Sequence, residues 1–325
     1  MLKLGDLCLD IPLFQAPMAG YTDRAMRHLA RRYGPVLTFP GVVLAKVACH
    51  RRIVAKLKLA AREDEHPIGI QIMGSLVEEM VEAARNLRGC GYDLVDLNFA
   101  CPAPKVLRRE RGGSILRQPE LALDIFRRVR EAVDCPVMVK LRAGYDDSEA
   151  ARDSFWRLCE ALATEAVDAL VVHGRTVFQR YRGKADWQIL AELKRRFPKT
   201  TILGSGDIFS AEVIRQRLAE TGVDGVTVAR GAVGNPWIFR DARAVLTGGA
   251  EPPPPDLQEQ GATIMEHFEM VAGLSSESRA IHYFRKFYNG YTKYHPERRQ
   301  VQRALCSSTD KNELFSIVRS WYSAA

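Results

Sequence analysis

The sequence of 325 residues contains seven cysteines but no Cys-x-x-Cys pair. An odd, scattered set of cysteines argues against a disulfide framework and a zinc knuckle, so we expect no bound metal and a reducing, cytoplasmic location. The chain also has no uninterrupted run of about eighteen apolar residues, so no transmembrane helix is predicted. Residues 1 to 10 lack the organisation of a signal peptide.

Acidic residues are fewer than basic ones, 39 against 47, which gives a formal net charge of +8. From Arg279 to Arg303 there are seven Lys or Arg residues and one acid, Glu297, interleaved with six aromatic residues. This mixture suits the phosphates and unstacked bases of a nucleic acid. An amphipathic helix with its aromatic residues in the core is the other interpretation.

The sequence lacks a glycine-rich dinucleotide fingerprint in its first strand-to-helix turn, which disfavours a doubly wound sheet. Strand-like runs instead alternate with amphipathic helical patterns, and eight such units in roughly 240 residues predict a (β/α)8 TIM barrel of the α/β class. The predicted strands are 13–17, 36–44, 68–72, 94–98, 137–141, 169–173, 201–203 and 225–228. Helices are predicted at 76–87, 120–133, 154–163, 188–197 and 211–220.

The segment from 247 to 255 is rich in glycine and proline, so it favours an extended linker over a helix. The residues beyond it are almost wholly helical in pattern. We therefore predict a barrel domain at 1–246, a linker at 247–255 and a small all-helical C-terminal domain at 256–325.

In such barrels the chemistry lies at the carboxyl ends of the strands. Here Gly204, Gly206 and Gly231 follow the last two predicted strands, where barrels commonly bind a phosphate group through backbone N–H groups. Cys101 could act as a nucleophile or as a positioned acid. Lys140 could stabilise negative charge on a reduced flavin. The strand ends therefore predict an FMN reductase.

Seven motifs together resemble the tRNA-dihydrouridine synthase family: 16–20, 22–24, 98–102, 140–142, 173–176, 206–208 and 229–232. The resemblance covers the whole chain, including the helical tail. It implies an oxidoreductase in which an FMN-binding barrel is fused to a helical tRNA-binding domain. Such an enzyme reduces the C5=C6 bond of uridines in tRNA to 5,6-dihydrouridine, with NADPH as electron source.

The resemblance also implies residue roles, with Cys101 as the proton donor to C5 after hydride transfer to C6. Asn98 and Arg175 are expected near the flavin and the uracil, and either of them or Lys140 could offset charge on the base. With Cys101 and His173 they form the predicted catalytic set. The predicted cofactor-binding residues are Pro17, Met18, Gln71, Lys140, His173, Ser205, Gly206, Asp207, Ala229 and Arg230.

Basic residues on three segments are the predicted tRNA contacts, and we expect a monomer that binds no membrane. These residues are Lys105, Arg108, Arg109, Arg111, Arg180, Arg182, Arg279, Arg285, Lys286 and Lys293.

Three positions depart from the family pattern: Ser205 replaces a frequent Asn, Ala100 replaces a frequent Gly, and residues 38–41 replace an acidic-methionine pattern. Four other functions stay open. They are reduction of a small pyrimidine or enone by an FMN barrel, uridine reduction in ribosomal RNA, methyl transfer to uracil, and RNA binding without catalysis.

Overall fold

The main sheet is a closed ring of parallel strands in this computed structural model, which describes residues 1–34 and 37–323. The strands are β1 Leu2–Leu4, β2 Leu7–Leu9, β3 Leu13–Gln15, β4 Val43–Leu44, β5 Gly69–Met73, β6 Leu94–Asn98, β7 Val137–Arg142, β8 Ala169–His173, β9 Ile202–Ser205 and β10 Gly225–Val228. Within the sheet the order is β3-β10-β9-β8-β7-β6-β5-β4. Bridges from Phe14 to Leu37 and from Thr38 to Ile68 close the ring. The predicted (β/α)8 barrel is confirmed.

Helices cover the outside of the barrel and continue beyond it as a helical tail. Those of the barrel are α1 Arg24–Tyr33, α2 Ala45–Ala48, α3 Arg51–Lys56, α4 Val77–Arg88, α5 Pro104–Leu107, α6 Pro119–Ala132, α7 Glu149–Thr164, α8 Gln188–Arg196, α9 Ala211–Thr221 and α10 Trp237–Leu246. The tail contains α11 Leu257–Ala272, α12 Glu277–Phe284, α13 Tyr288–Tyr291, α14 Arg298–Ser307 and α15 Lys311–Trp321. None of the described helices is long and apolar enough to cross a bilayer.

Side-chain caps fix where several helices begin. Asp23, Ser148, Ser210, Asp256 and Asp310 each accept a hydrogen bond from the backbone N–H three residues further on. Each such bond satisfies a donor that the first turn of a helix leaves unpaired. The cap at Ser148 explains why α7 begins before the predicted start at residue 154.

The second predicted strand, 36–44, differs from the structure. Leu37 and Thr38 form single bridges, and the chain returns to the sheet only at β4. Pro40 lies between these two parts and has no N–H to donate to a ladder, so one continuous strand cannot form there. The first predicted residue, Val36, lies outside the described residues.

The β1–β2 hairpin closes the amino-terminal end of the barrel. Its residues Leu2, Leu4 and Leu9 are buried against the barrel interior, in one cluster with Phe14 and Met138. Burial of such side chains contributes roughly 1.5–3 kcal/mol each, so this end is a packed core. A site for chemistry must therefore lie at the opposite end, where the strands have their carboxyl ends.

The helical tail packs directly on the barrel through α1 and α10. Glu259 of α11 accepts hydrogen bonds from Tyr33 Oη at 3.0 Å and from Trp237 Nε1 at 2.7 Å. Arg32 and Glu266 form an ion pair across the same interface. A single hydrophobic core continues from the barrel into the tail. The boundaries 1–246, 247–255 and 256–325 stay a prediction.

Helix α13 approaches the loop after β10 so closely that Gly290 has no space for a side chain. A Cβ atom there would clash with Val233 O and lie 2.8 Å from Gly234 C. Only glycine allows this approach, which brings the tail to the open end of the barrel.

Gly290→Ala is expected to lower the free energy of unfolding by about 1–3 kcal/mol, since the added methyl group overpacks a backbone contact. The matched control is Gly273→Ala, whose Cβ would meet atoms only at 3.5 Å. Urea unfolding of both variants measures the effect. Equal stability of the two variants would contradict the close approach.

Candidate active site

A cavity of about 610 Å³ lies at the carboxyl ends of the barrel strands. This volume is within the range of about 300–1,000 Å³ that is typical of cofactor and ligand pockets. It is lined by all ten predicted cofactor-binding residues and by Asn98 and Cys101. Arg175 is the one member of the predicted catalytic set that does not line it.

A chain of buried hydrogen bonds fixes the backbone at Cys101. Gln71 Nε2 donates to Asp96 Oδ2 at 2.7 Å, and Asn98 Nδ2 donates to Gln71 Oε1 at 2.6 Å. Asn98 Oδ1 then accepts the N–H groups of Ala100 and Cys101, each at 3.1 Å. Strand register explains the chain, because Gln71 pairs with Asp96 across β5 and β6. The loop that carries Cys101 is therefore anchored in the barrel interior.

Lys140 and Asp96 place a base and an acid inside the mouth of the barrel. Lys140 is the ladder partner of Asn98, so its side chain points to the same interior as Asp96. Lys140 Nζ and Asp96 Oδ1 are enclosed, and neither has a hydrogen-bond partner among the described residues. Burial lowers the pKa of Lys140 to about 8 and raises that of Asp96 to about 7, while their mutual attraction opposes both shifts.

Arg142 and His173 also line the cavity, the first as a cation and the second as a neutral ring. Arg142 is buried and donates from Nε to Ala100 O at 2.9 Å, and from Nη1 to Thr176 O at 2.9 Å. Burial and the nearby cations, Arg142 foremost, lower the pKa of His173 to about 2. Its Nε2 lies 3.2 Å from Arg175 Nη1, which can only donate, so the ring proton of neutral His173 resides on Nδ1.

Asp207 organises the loops after β8, β9 and β10. It accepts hydrogen bonds from Arg175 Nη2 at 2.6 Å, from Ala185 N at 2.8 Å and from Arg230 Nη2 at 3.1 Å. Burial would raise the pKa of Asp207, but these hydrogen bonds and charges lower it overall. Arg175 is thus a buried support for Asp207 behind the cavity wall.

The loops after β9 and β10 present free backbone donors to the cavity. The N–H groups of Gly206, Asp207 and Arg230, three residues that line the cavity, have no acceptor within the part of the chain that the structure describes. Gly204 and Gly231, which the sequence also placed at the phosphate, are buried and do not line the cavity. Gly206 has φ +123, and a Cβ atom on it would lie 2.7 Å from Ala185 Cβ, so glycine is required there. Together with the Arg230 guanidinium these donors can hold a phosphate group.

The predicted RNA contacts do not form one group in the structure. Lys286 lines the cavity, and its ammonium group donates to Gly20 O. Arg111 is half-buried within the segment 99–118 between β6 and α6, which we call the Cys101 loop. The other predicted contacts are exposed, and they lie on the Cys101 loop, on the loop after β8 and on the tail: Lys105, Arg108, Arg109, Arg180, Arg182, Arg279, Arg285 and Lys293.

Sequence reasoning assigned no role to Asp96, Arg142 and Phe209, and it considered Tyr181 only as a possible RNA contact. Asp96 was identifiable as an acid within an apolar strand, and Arg142 as the end of a quoted motif. The Arg230 guanidinium group contacts the rings of both Tyr181 and Phe209, with ring centroids at 4.7 and 5.5 Å from it. Only the fold brings these two rings together. No cluster of potential metal ligands occurs among the described residues.

The comparisons with known proteins agree with this geometry. The family model for dihydrouridine synthase (Dus) matches residues 14–322. A probable tRNA-dihydrouridine synthase of Rickettsia conorii is 31% identical over 100% of this chain and 97% of its own. A probable tRNA-dihydrouridine synthase of Mycobacterium tuberculosis is 33% identical, and the match covers 96% of this chain and 82% of that protein. The tRNA-dihydrouridine synthase B of Xanthomonas campestris is 30% identical, and the match covers 99% of this chain and 96% of that protein. The chain belongs to the dihydrouridine synthase family of oxidoreductases.

A solved structure supports the fold alone. The chain is similar to a 2-naphthoyl-CoA reductase in complex with 2-naphthoyl-CoA, with a TM-score of 0.59 and 14% identity. The match covers 76% of this chain and 52% of the reductase chain, so it extends over about half the length of that protein.

Asp96→Asn is expected to remove a pH-dependent destabilisation. Because the pKa of Asp96 is raised from 3.8 to about 7, the folded protein retains a proton that the unfolded chain releases. Its contribution to stability is therefore greatest below about pH 4 and decreases up to about pH 7. The free energy of unfolding of wild type minus that of Asp96→Asn should fall across this window.

Urea unfolding at several pH values measures this difference, with Asp124→Asn, at an exposed acid, as the control. Removal of the Asp96 charge also lowers the pKa of Lys140 in the variant. This second shift makes the same stability difference fall further as the pH rises. A difference that is flat or rises with pH would contradict the buried, protonated acid.

Proposed function

We propose that this protein is an FMN-dependent tRNA-dihydrouridine synthase that reduces the C5=C6 bond of uridines with NADPH as electron source. The observation that carries the proposal is the position of Cys101. It lines the same cavity as Lys140 and as the free backbone N–H groups after β9 and β10, and its own N–H is bonded to Asn98. Family membership and the names of the relatives support the same reaction. We further propose that the chain acts as a monomer, in the cytoplasm, where tRNA is the substrate.

The cavity residues fit FMN. Lys140 Nζ is a buried cation without a described partner, which suits the negative charge of a reduced isoalloxazine ring. Pro17 and Met18 supply an apolar edge for a planar ring. The free N–H groups after β9 and β10, with Arg230, would hold the phosphate group. Ser205 at the end of β9 would contribute its hydroxyl where the family often has an amide.

The chemistry divides between the cofactor and the chain. When bound, reduced FMN supplies a hydride for C6 of the uracil. Cys101 gives its proton to C5, for which the thiol must be neutral and must face the ring. Asn98 holds the Cys101 loop in place through two N–H groups, so the acid is positioned before the substrate arrives. The target base must leave its stack to reach this depth.

Electrostatics in the cavity favour negative charge on the base as hydride arrives. Lys140 and Arg142 are buried cations at this end, and the interior excludes much of the water that would screen them. His173 stays neutral at physiological pH because its pKa is lowered to about 2, so it serves as a hydrogen-bond donor through Nδ1. Lys140 and Asn98 line the cavity itself, whereas Arg175 acts through Asp207.

Cys101→Ala is expected to retain flavin and tRNA binding but to reduce turnover by about 10²–10⁴-fold, because only the acid is removed. Anaerobic reoxidation of the reduced protein by unmodified tRNA and nucleoside mass spectrometry measure the reduction. Cys306→Ala, at an exposed thiol on α14, is the matched control. If Cys101→Ala formed dihydrouridine as fast as the control variant, Cys101 would not be the proton donor.

The exposed cations beside the cavity are expected to bind the phosphates of tRNA. Arg108→Gln combined with Arg109→Gln should weaken binding and reduce the slope of log K against log salt by about one for each phosphate that is no longer neutralised. Arg195→Gln is the control, since this exposed residue in the last turn of α8 lies at the opposite end of the barrel. Equal slopes for both proteins would exclude the Cys101 loop from the interface.

A further inference from the structure

Lys286 differs from the other predicted RNA contacts in its surroundings. Its ammonium group is half-buried between the rings of Tyr283, Tyr21 and Phe287, at 3.0, 4.7 and 5.2 Å from their centroids. The same group donates a hydrogen bond to the backbone carbonyl of Gly20. A cation enclosed by aromatic faces and a carbonyl has its stabilising partners within the protein.

A second bond joins the same two segments. Tyr283 Oη donates to Asp23 Oδ2 at 2.7 Å, and the other oxygen of this carboxylate caps α1 by accepting Met26 N–H at 2.9 Å. Tyr21 and Phe287 add an edge-to-face contact with a centroid distance of 6.2 Å. Residues 283–287 of the tail are therefore held to the loop 17–23 by two polar bonds and an aromatic contact.

The loop 17–23 forms one wall of the candidate active site. Within it, Met18 N–H donates to Thr22 Oγ1 at 3.0 Å, and Thr22 N–H donates to Met18 O at 3.1 Å. This turn fixes Pro17 and Met18 at the cavity. Because Gly20 lies inside the turn, its bond to the tail restrains the residues that would contact the flavin ring.

We propose that Lys286 is a positioning residue, which joins the helical tail to the loop 17–23 and so orients Pro17 and Met18 toward the cofactor. The part that concerns FMN rests on the proposed function. The tail is then a component of the cofactor site, in addition to any surface it offers to RNA. Below about pH 8, the pKa to which burial lowers Lys286, the ammonium form that makes these contacts predominates.

The first test compares Lys286→Met with Arg285→Met by amide hydrogen exchange in the protein without added ligands. Arg285 is adjacent but exposed, so it controls for removal of a charge from this turn. Lys286→Met should raise exchange of the N–H groups of residues 21–23 on the order of tenfold, since it removes a charged hydrogen bond and the cation–aromatic contacts. Arg285→Met should leave them unchanged.

The second test measures FMN affinity by fluorescence and the salt dependence of tRNA binding. Lys286→Met should weaken FMN binding by about tenfold and leave the salt slope unchanged, whereas Arg285→Met should leave FMN affinity unchanged. If Lys286→Met does not fold, Tyr283→Phe removes only the bond to Asp23 and should raise exchange at residues 21–23 in the same way.

Unchanged exchange at residues 21–23, or a salt slope reduced by about one with normal FMN affinity, would overturn the proposal in favour of a phosphate contact. Failure of the proposed function has a different signature. In that case the wild-type protein would bind no FMN, while the exchange experiment would still report on the contact between the tail and the loop.

Discussion

The site depends on a buried chain of hydrogen bonds that begins inside the barrel and ends at the backbone of Cys101. Asp96 and Asn98 lie on the same face of β6 because side chains of a strand alternate, and Gln71 bridges them from β5. The three hydrogen bonds that precede the one to Cys101 N–H are buried, so breaking one of them would leave an unpaired buried group at a cost of about 1–3 kcal/mol. The fold thereby holds the loop that carries Cys101 in one position without using a substrate contact.

Charge is the second constraint on this end of the barrel. Lys140, Arg142, Arg175 and Arg230 lie around the cavity, and the Asp207 carboxylate offsets only part of their charge. Burial and these cations together disfavour further positive charge, which is why His173 is neutral. The same surroundings favour an anionic phosphate and a base that becomes negative during reduction. The charges of the site are therefore consistent with the proposed cofactor and the proposed reaction.

The barrel was predictable because parallel strands and covering helices give repeated apolar runs, and because strand ends define where polar residues meet. The ten predicted cofactor-binding residues were found to line the cavity because they follow the carboxyl ends of the strands. Arg175 was placed at the site by its motif, yet its guanidinium turns away to bind Asp207 and two carbonyl groups. The enclosure of Lys286 depends on contacts between residues more than 250 positions apart. Local patterns cannot report such contacts.

One measurement tests the central claim, that this cavity reduces uridine in tRNA, more directly than any other. The purified protein is reduced anaerobically, excess reductant is removed, and unmodified tRNA, ribosomal RNA, uracil or a small enone is added. We predict that tRNA reoxidises the flavin and that mass spectrometry detects one dihydrouridine per flavin oxidised. A flavin that stays reduced with tRNA but is reoxidised by the enone or uracil would contradict the account. Reoxidation by ribosomal RNA alone would contradict the assignment of tRNA as the substrate.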